Sequence, residues 1–250
     1  MQDFLCFEKI KKLKENNINK STKTSDKELE DLVYITSHDL KEPLRMINSY
    51  IQIIEKKYIN QLDENAHVYF NFVTDGAKRL QLMIDDLASY SQILRNGYKF
   101  EYIEINPLVN KIKNTVQNQF HDKNPEILID NLPQCYCNPD LIEILFKHLL
   151  NNSLKFNTTK PKVSIRYKKD LLKPAFEIED NGIGIDKQYK DDIFKVFRKL
   201  HTINEYQGSG IGLAICKKIV EKHNGKIWFT KSKSGGTIFS FTLSPNKGIN

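Results

Sequence analysis

The sequence predicts an α+β protein of two domains, an antiparallel helical hairpin followed by an α/β sandwich. Three observations carry this. Residues 29 to 94 repeat apolar side chains every three or four positions, the period of a helix. After Asn96-Gly97, a turn signal, short runs rich in β-branched and aromatic residues alternate with helical stretches. The chain has 250 residues, enough for one large or two ordinary domains with cores of their own.

The first helix carries Leu29, Val33, Thr36, Leu40, Leu44, Ile47, Ile51, Ile54 and Tyr58, with one irregular step around Pro43. At 100° per residue they form a stripe roughly 80° wide. The second helix carries Ala66, Phe70, Val73, Ala77, Leu80, Ile84, Leu87, Ser91 and Leu94. Between them YINQLDEN is a short polar link, with Asp63 placed to cap the second helix. Ile35, Met46 and Ile53 add apolar surface beyond what one partner helix needs. The simplest expectation is a homodimer through the hairpin, forming a four-helix bundle. The alternative is packing on the second half of the same chain. The expected divisions are a polar lead-in at 1–27, the hairpin at 28–96 and the second domain at 97–250.

In that second domain the strand-like runs are FEYIEI, EILID, KVSIRYKK, PAFEIED, KIWFTK and TIFSFTL. Helical stretches fall near 107–120, 139–156 and 210–224. Such alternation predicts one sheet covered by helices.

Composition narrows the function classes. The chain is 40% hydrophobic and 28% charged, near the average for a soluble protein. No apolar run approaches the roughly 18 to 20 residues of a membrane span. The amino terminus lacks a small-residue cleavage site, so the expected location is cytoplasmic. Four cysteines form no zinc or disulfide pattern and are read as reduced thiols. The formal charge is +7, with lysines clustered in 9–23 and 217–233. No nucleic-acid motif accompanies them, so they are read as a solvated basic surface, which also suits a nucleotide or an acidic partner.

Residues 36 to 44, TSHDLKEPL, set a titratable ring on the first helix. His38 falls about 160° from the centre of the apolar stripe, among Lys41, Glu42 and Arg45. An exposed neutral imidazole is a nucleophile, and Asp39 can hold its other nitrogen or take its proton. Pro43 removes the amide that would bond the Asp39 carbonyl and loosens the helix one turn beyond.

Four pieces of the second domain suit a nucleotide. Asn152 offers an uncharged oxygen for Mg²⁺, and Lys155, on the same side of the helix, a charge for phosphate. Asp180 ends the strand AFEIED and can accept an amino hydrogen, with Gly182 and Gly184 letting backbone approach a flat ring. Gly208, Gly210 and Gly212 open a helix whose amides suit phosphate, with Leu213 following. Gly235-Gly236-Thr237 turns into the last strand. Between the second and third pieces, DIFKVFRKLHTINEYQ reads as a lid anchored by Phe194 and Phe197.

The order His-acid-x-x-x-Pro, Asn-Ser-x-Lys-Phe, DNGIG, FxxF, GSGIGLA, GGT resembles the sensor histidine kinase family from about residue 28 to 245. SHDLKEPLR is most similar to the phytochrome-type members. The resemblance implies a dimerisation and phosphoacceptor hairpin, with His38 phosphorylated and Asp39 as base. It implies an ATP-binding domain of the kind shared with gyrase and Hsp90, and transfer to an aspartate of a response-regulator receiver protein. It makes Asn152 the Mg²⁺ ligand, Lys155 a phosphate contact and Asp180 the adenine contact. The glycines, Leu213 and Thr237 join the nucleotide set, and Lys199, beside Arg198, takes the place of a lid arginine. No sensor is visible, so the signal enters from a separate sensor domain or chain, or the sequence is a fragment.

Two positions depart from the family. His148 stands where a second asparagine is common, four residues before Asn152. Glu42 stands where strong phosphatases carry Thr or Asn, and a carboxylate cannot donate a hydrogen bond at pH 7. Two rival readings follow. One is a regulatory module with a degenerate nucleotide domain. The other is an ATPase that activates water with a glutamate, for which Glu143 lies nine residues before Asn152 instead of four.

Overall fold

A computed structural model describes residues 37, 39–94, 97–169, 174–200 and 208–244, and the chain divides into two units between Leu94 and Arg95. In the first unit, helical residues 39–58 (α1) run through Pro43 without a break. A single turn at Ile59–Gln61 leads to α2, Glu64–Leu94. Asp63 caps α2, its Oδ1 accepting the N–H of Ala66 at 2.7 Å.

The two helices bury only part of each apolar stripe. Leu44 and Ile51 pack with Ala77 and Ile84, and half-buried Phe70 joins them. Beside this core Lys41 reaches Asp85 at 2.9 Å. Among the other stripe members, Leu40, Ile47 and Ile54 of α1 and Val73 and Leu80 of α2 are 39 to 56% exposed. In each helix, positions seven apart are buried while the intervening set, also seven apart, faces outward. That seven-residue spacing is the pattern of a coiled-coil seam.

The second unit runs β1 (Glu101–Glu104), α3 (Ile105–Gln119), β2 (Glu126–Ile129), β3 (Gln134–Cys137) and α4 (Pro139–Lys155). It continues with β4 (Lys162–Lys168), β5 (Ala175–Asp180), α5 (Gly212–Lys222), β6 (Ile227–Lys231) and β7 (Thr237–Phe241). Five strands form one sheet in the order β2-β4-β5-β7-β6, with β2 parallel to β4 and every other pair antiparallel. Where the sequence predicts a single sheet, β1 instead pairs with β3 in a separate antiparallel ribbon. Strand β3, QCYC after Pro133, is too short for its alternation to register in the sequence.

Alternation fixes which face of the sheet meets the helices. Val163 and Ile165, Phe176 and Ile178, and Phe239 and Phe241 are the buried alternate residues of β4, β5 and β7. Phe146 of α4 meets Phe176 and Phe241 edge-on, at 6.0 and 5.5 Å between ring centroids. Truncating such a fully buried ring to alanine costs about 3–5 kcal/mol. Helix α3 buries Ile105, Val109, Ile112 and Val116, one stripe at helical spacing. Cys137 and Cys216 are buried thiols, and burial pushes Cys137 up to about 12.

Helix α4, which carries the candidate site, is held at both ends. Asn138 accepts the N–H of Leu141 at 2.9 Å and Pro139 begins the helix. At the other end the ammonium of Lys123 donates to the carbonyls of Leu154, Lys155 and Asn157 at 3.2, 3.3 and 3.4 Å. A cation there satisfies carbonyls that the helix cannot and offsets its negative end.

Candidate nucleotide site

The core-facing side of α4 is apolar, and a second face carries His148, Asn151, Asn152 and Lys155. At 100° per residue these four share an arc roughly 100° wide. The glycine-rich segment lies along that arc. The Nζ of Lys155 is 2.6 Å from where a Cβ would stand on Gly208, and His148 Nδ1 is 3.0 Å from the equivalent point on Gly212. Lys155 and His148 therefore bracket the loop, and Asn152 falls between them on the helix.

Gly210 has φ +79 and sits against the backbone of Phe197 and Arg198 and the side chain of Lys199. Ser209, buried, turns its hydroxyl to the N–H of Ile211 at 3.0 Å. Helix α5 then opens at Gly212 and half-buried Leu213. The first amides of a helix have no partner within it and suit an anion.

Asp180 is 6% exposed at the end of β5. Its Oδ1 accepts the N–H of Gly182 at 2.9 Å and of Thr237 at 3.0 Å. Burial pushes this carboxyl above its ordinary value, against those two amides and the nearby Ser153 hydroxyl, and the Glu179 charge adds to the rise. A carboxylate has about four acceptor sites, so these donors leave room for one more.

The surrounding backbone is close. A side chain on Gly182 would collide with the carbonyl of Phe156, and one on Gly236 with the backbone of Asp180. The Phe156 carbonyl accepts the N–H of Ile183 at 3.1 Å, which ties the end of α4 to the DNGIG turn. Side-chain-free backbone around an acceptor is what a flat heterocycle with an amino group requires. The residues present fit such a ring.

Other sequence expectations fare differently. His38 lies outside the described residues, while Asp39 is exposed. Glu42 pairs with Arg45 at 3.1 Å. Phe194 is half-buried, but Phe197 is 57% exposed with φ +62. Ile193, 4% exposed, anchors that segment instead of Phe197. Residues 201–207 of the expected lid lie outside the described residues. Glu143 pairs with Lys111 of α3 at 3.1 Å, on the flank of α4 away from His148. That orientation opposes a water-activating role.

Lys123, Ser153 and the Phe156 carbonyl were not legible as contributors. Ser153 and Phe156 lie inside the Asn-Ser-x-Lys-Phe motif, which carries no sign of these contacts, and Lys123 lies in no motif. Among the described residues no helix is long and apolar enough to cross a membrane, and no group of three or more His, Cys, Asp or Glu could hold a metal.

Residues 28–96 match the His Kinase A (phospho-acceptor) domain family. Residues 137–247 match the histidine kinase-, DNA gyrase B- and HSP90-like ATPase family. Cyanobacterial phytochrome A of a Nostoc species is 36% identical over 220 residues, 88% of this chain and 29% of that protein. Phytochrome-like protein Cph1 of a Synechocystis species is 34% identical over the same length. The chain thus spans under a third of these relatives, 29% of each. Among solved structures, full-length ShkA in complex with AMPPNP aligns with TM-score 0.65 at 18% identity, over 84% of this chain and 45% of that one. The Acinetobacter baumannii histidine kinase AdeS aligns with TM-score 0.56 at 21% identity, over 84% and 98%. Those likenesses establish the fold, a helical hairpin followed by the ATPase-type α/β domain. With both domain families present in order and relatives among the phytochromes, the chain belongs to the sensor histidine kinases and is a transmitter region of that family.

Proposed function

We propose that the chain is an ATP-dependent protein histidine kinase that phosphorylates His38 and passes the group to an aspartate of a response-regulator receiver protein. The observation that carries this is the glycine loop 208–212 laid along α4 between Lys155 and His148, beside the Asp180 cradle. Asp180 accepts from the adenine amino group, and the amides opening α5 meet the phosphates together with Lys155. Lys199 closes the outer side of the loop. Asn152, an uncharged oxygen donor between His148 and Lys155 along α4, fits a dication already bound by phosphates, which would supply charge neutralisation for the nucleotide.

A neutral nitrogen of His38 attacks the terminal phosphorus, the bond to the bridging oxygen of ADP breaks, and Asp39 takes or orients the ring proton. We assign the work to the cytoplasm, where ATP and receiver proteins meet. The homodimer is the reading best supported for the hairpin, because Leu40, Ile47, Ile54, Val73 and Leu80 form an outward seam that a second copy completes. Input comes from a separate sensor domain or chain.

The test is incubation with γ-labelled ATP followed by acid. The wild type takes up acid-labile label, and His38→Ala takes up none while still binding nucleotide. Label that persists in His38→Ala removes the assignment.

A further inference from the structure

We propose that the metal subsite beside the phosphates is suited to a first-row transition dication in preference to Mg²⁺, with His148 as a direct nitrogen ligand. This deepens the nucleotide reading above and rests on it. The face of α4 that follows the glycine loop presents one imidazole, two carboxamides and one ammonium: His148, Asn151, Asn152 and Lys155. It contains no carboxylate, and Glu143, the nearest acid upstream on α4, is held by Lys111 of α3.

Mg²⁺ favours oxygen donors and parts reluctantly with its waters. From this face it gains neutral amide oxygens alone. An imidazole nitrogen adds little for Mg²⁺, and it adds more along the series from Mn²⁺ to Co²⁺ and Ni²⁺.

Position supports the assignment. His148 is one helical turn from Asn152, so the two side chains emerge side by side. Its Nδ1 is already at the mouth of α5, 3.0 Å from the Cβ position of Gly212. Gly212 leaves room for the ring; a larger residue there would displace it.

A second observation lies on the same arc. The Oδ1 of Asn151 is buried and has no hydrogen-bond partner among the described residues. A buried amide oxygen without a partner is costly unless something polar reaches it. A hydrogen of a metal-bound water meets that need, in the outer-shell role that orients such sites.

The experiment uses the full chain and ADP with Mg²⁺, Mn²⁺ or Co²⁺, measuring affinity by calorimetry for the wild type and His148→Asn. The loss on substitution should be about twofold or less with Mg²⁺, intermediate with Mn²⁺, and tenfold or more with Co²⁺. Pulsed electron paramagnetic resonance of the Mn²⁺-ADP complex should show modulation from a directly bound nitrogen that vanishes in His148→Asn. Equal losses for the three metals overturn the proposal, and so does the absence of nitrogen modulation in the wild type. ADP binding in EDTA separates the two levels. If it is present but the metals are not discriminated, this inference alone fails. If no ADP binds under any condition, the nucleotide reading fails first and takes the inference with it.

Discussion

The backbone N–H of Asn138 donates to Nε2 of His223 at 3.2 Å, across 85 positions of chain. The other ring nitrogen, Nδ1, lies 2.8 Å from the Ile219 carbonyl, so it carries the proton. Asn138 in turn caps α4 and donates from its amide to the Lys99 carbonyl at 2.8 Å. One neutral ring thus joins the end of α5, the start of α4 and the segment leading to β1.

Burial holds the His223 ring below the ordinary histidine pKa, against the pull of the Ile219 carbonyl. The unfolded chain therefore binds this proton more readily than the folded one. Stability of the second unit should be full above about pH 6.5 and decline as pH falls through that value. His223→Leu should cost about 1–3 kcal/mol by leaving a buried N–H without an acceptor, and should flatten the acid decline. Urea titrations from pH 8 to 5 measure both, and an unaltered slope in the variant would count against the ring as its source.

Asp180→Asn keeps an oxygen for the amides of Gly182 and Thr237 but replaces the other carboxylate oxygen with a donor. The fold should survive, and relief of a buried charge should hold or raise its melting temperature. ATP affinity should fall by tenfold or more, read by calorimetry. In the wild type, affinity should weaken as pH falls through the raised carboxyl value, because the protonated acid loses acceptor strength.

Lys123→Met retains the apolar stem and removes three bonds to the end of α4. A loss of about 1–2 kcal/mol is expected, readable as a lower melting temperature of the second unit. Nucleotide affinity should fall with it, since Lys155 and Phe156 lie in the turn that Lys123 holds.

Gly182→Ala places a methyl against the Phe156 carbonyl. That clash opens the turn beneath the proposed adenine position. Nucleotide binding should be lost by at least tenfold, while far-ultraviolet circular dichroism stays unchanged.

Much of this architecture was legible because it rests on local period. The second stripe, the first from Leu40 onward, the Asp63 cap and five of the six expected strand runs follow from spacing and turn chemistry alone and belong where the sequence puts them, while Leu29, Val33 and Thr36 lie outside the described residues. FEYIEI is a strand too, but its partner β3 is too short to announce itself, so the ribbon was missed. Which stripe members turn inward was not legible either, since Leu44 and Ile47 look alike until a partner helix is present. In the site, Lys155, Asp180 and the glycines sit in recognisable motifs and converge. Lys123 and His223 carry no local signal, because their roles depend on carbonyls and amides about 30 to 85 positions away. Phe197 misled, as an aromatic beside a loop reads as an anchor until its left-handed backbone turns it out.

The outward seam of the hairpin makes protein concentration a structural variable. On the dimer reading, apolar side chains seven residues apart along α1 and α2 are covered by a second copy and become wet when the copies part. Dilution should therefore melt the hairpin at lower temperature while the sheet and its helices, whose core closes upon itself, hold their transition fixed.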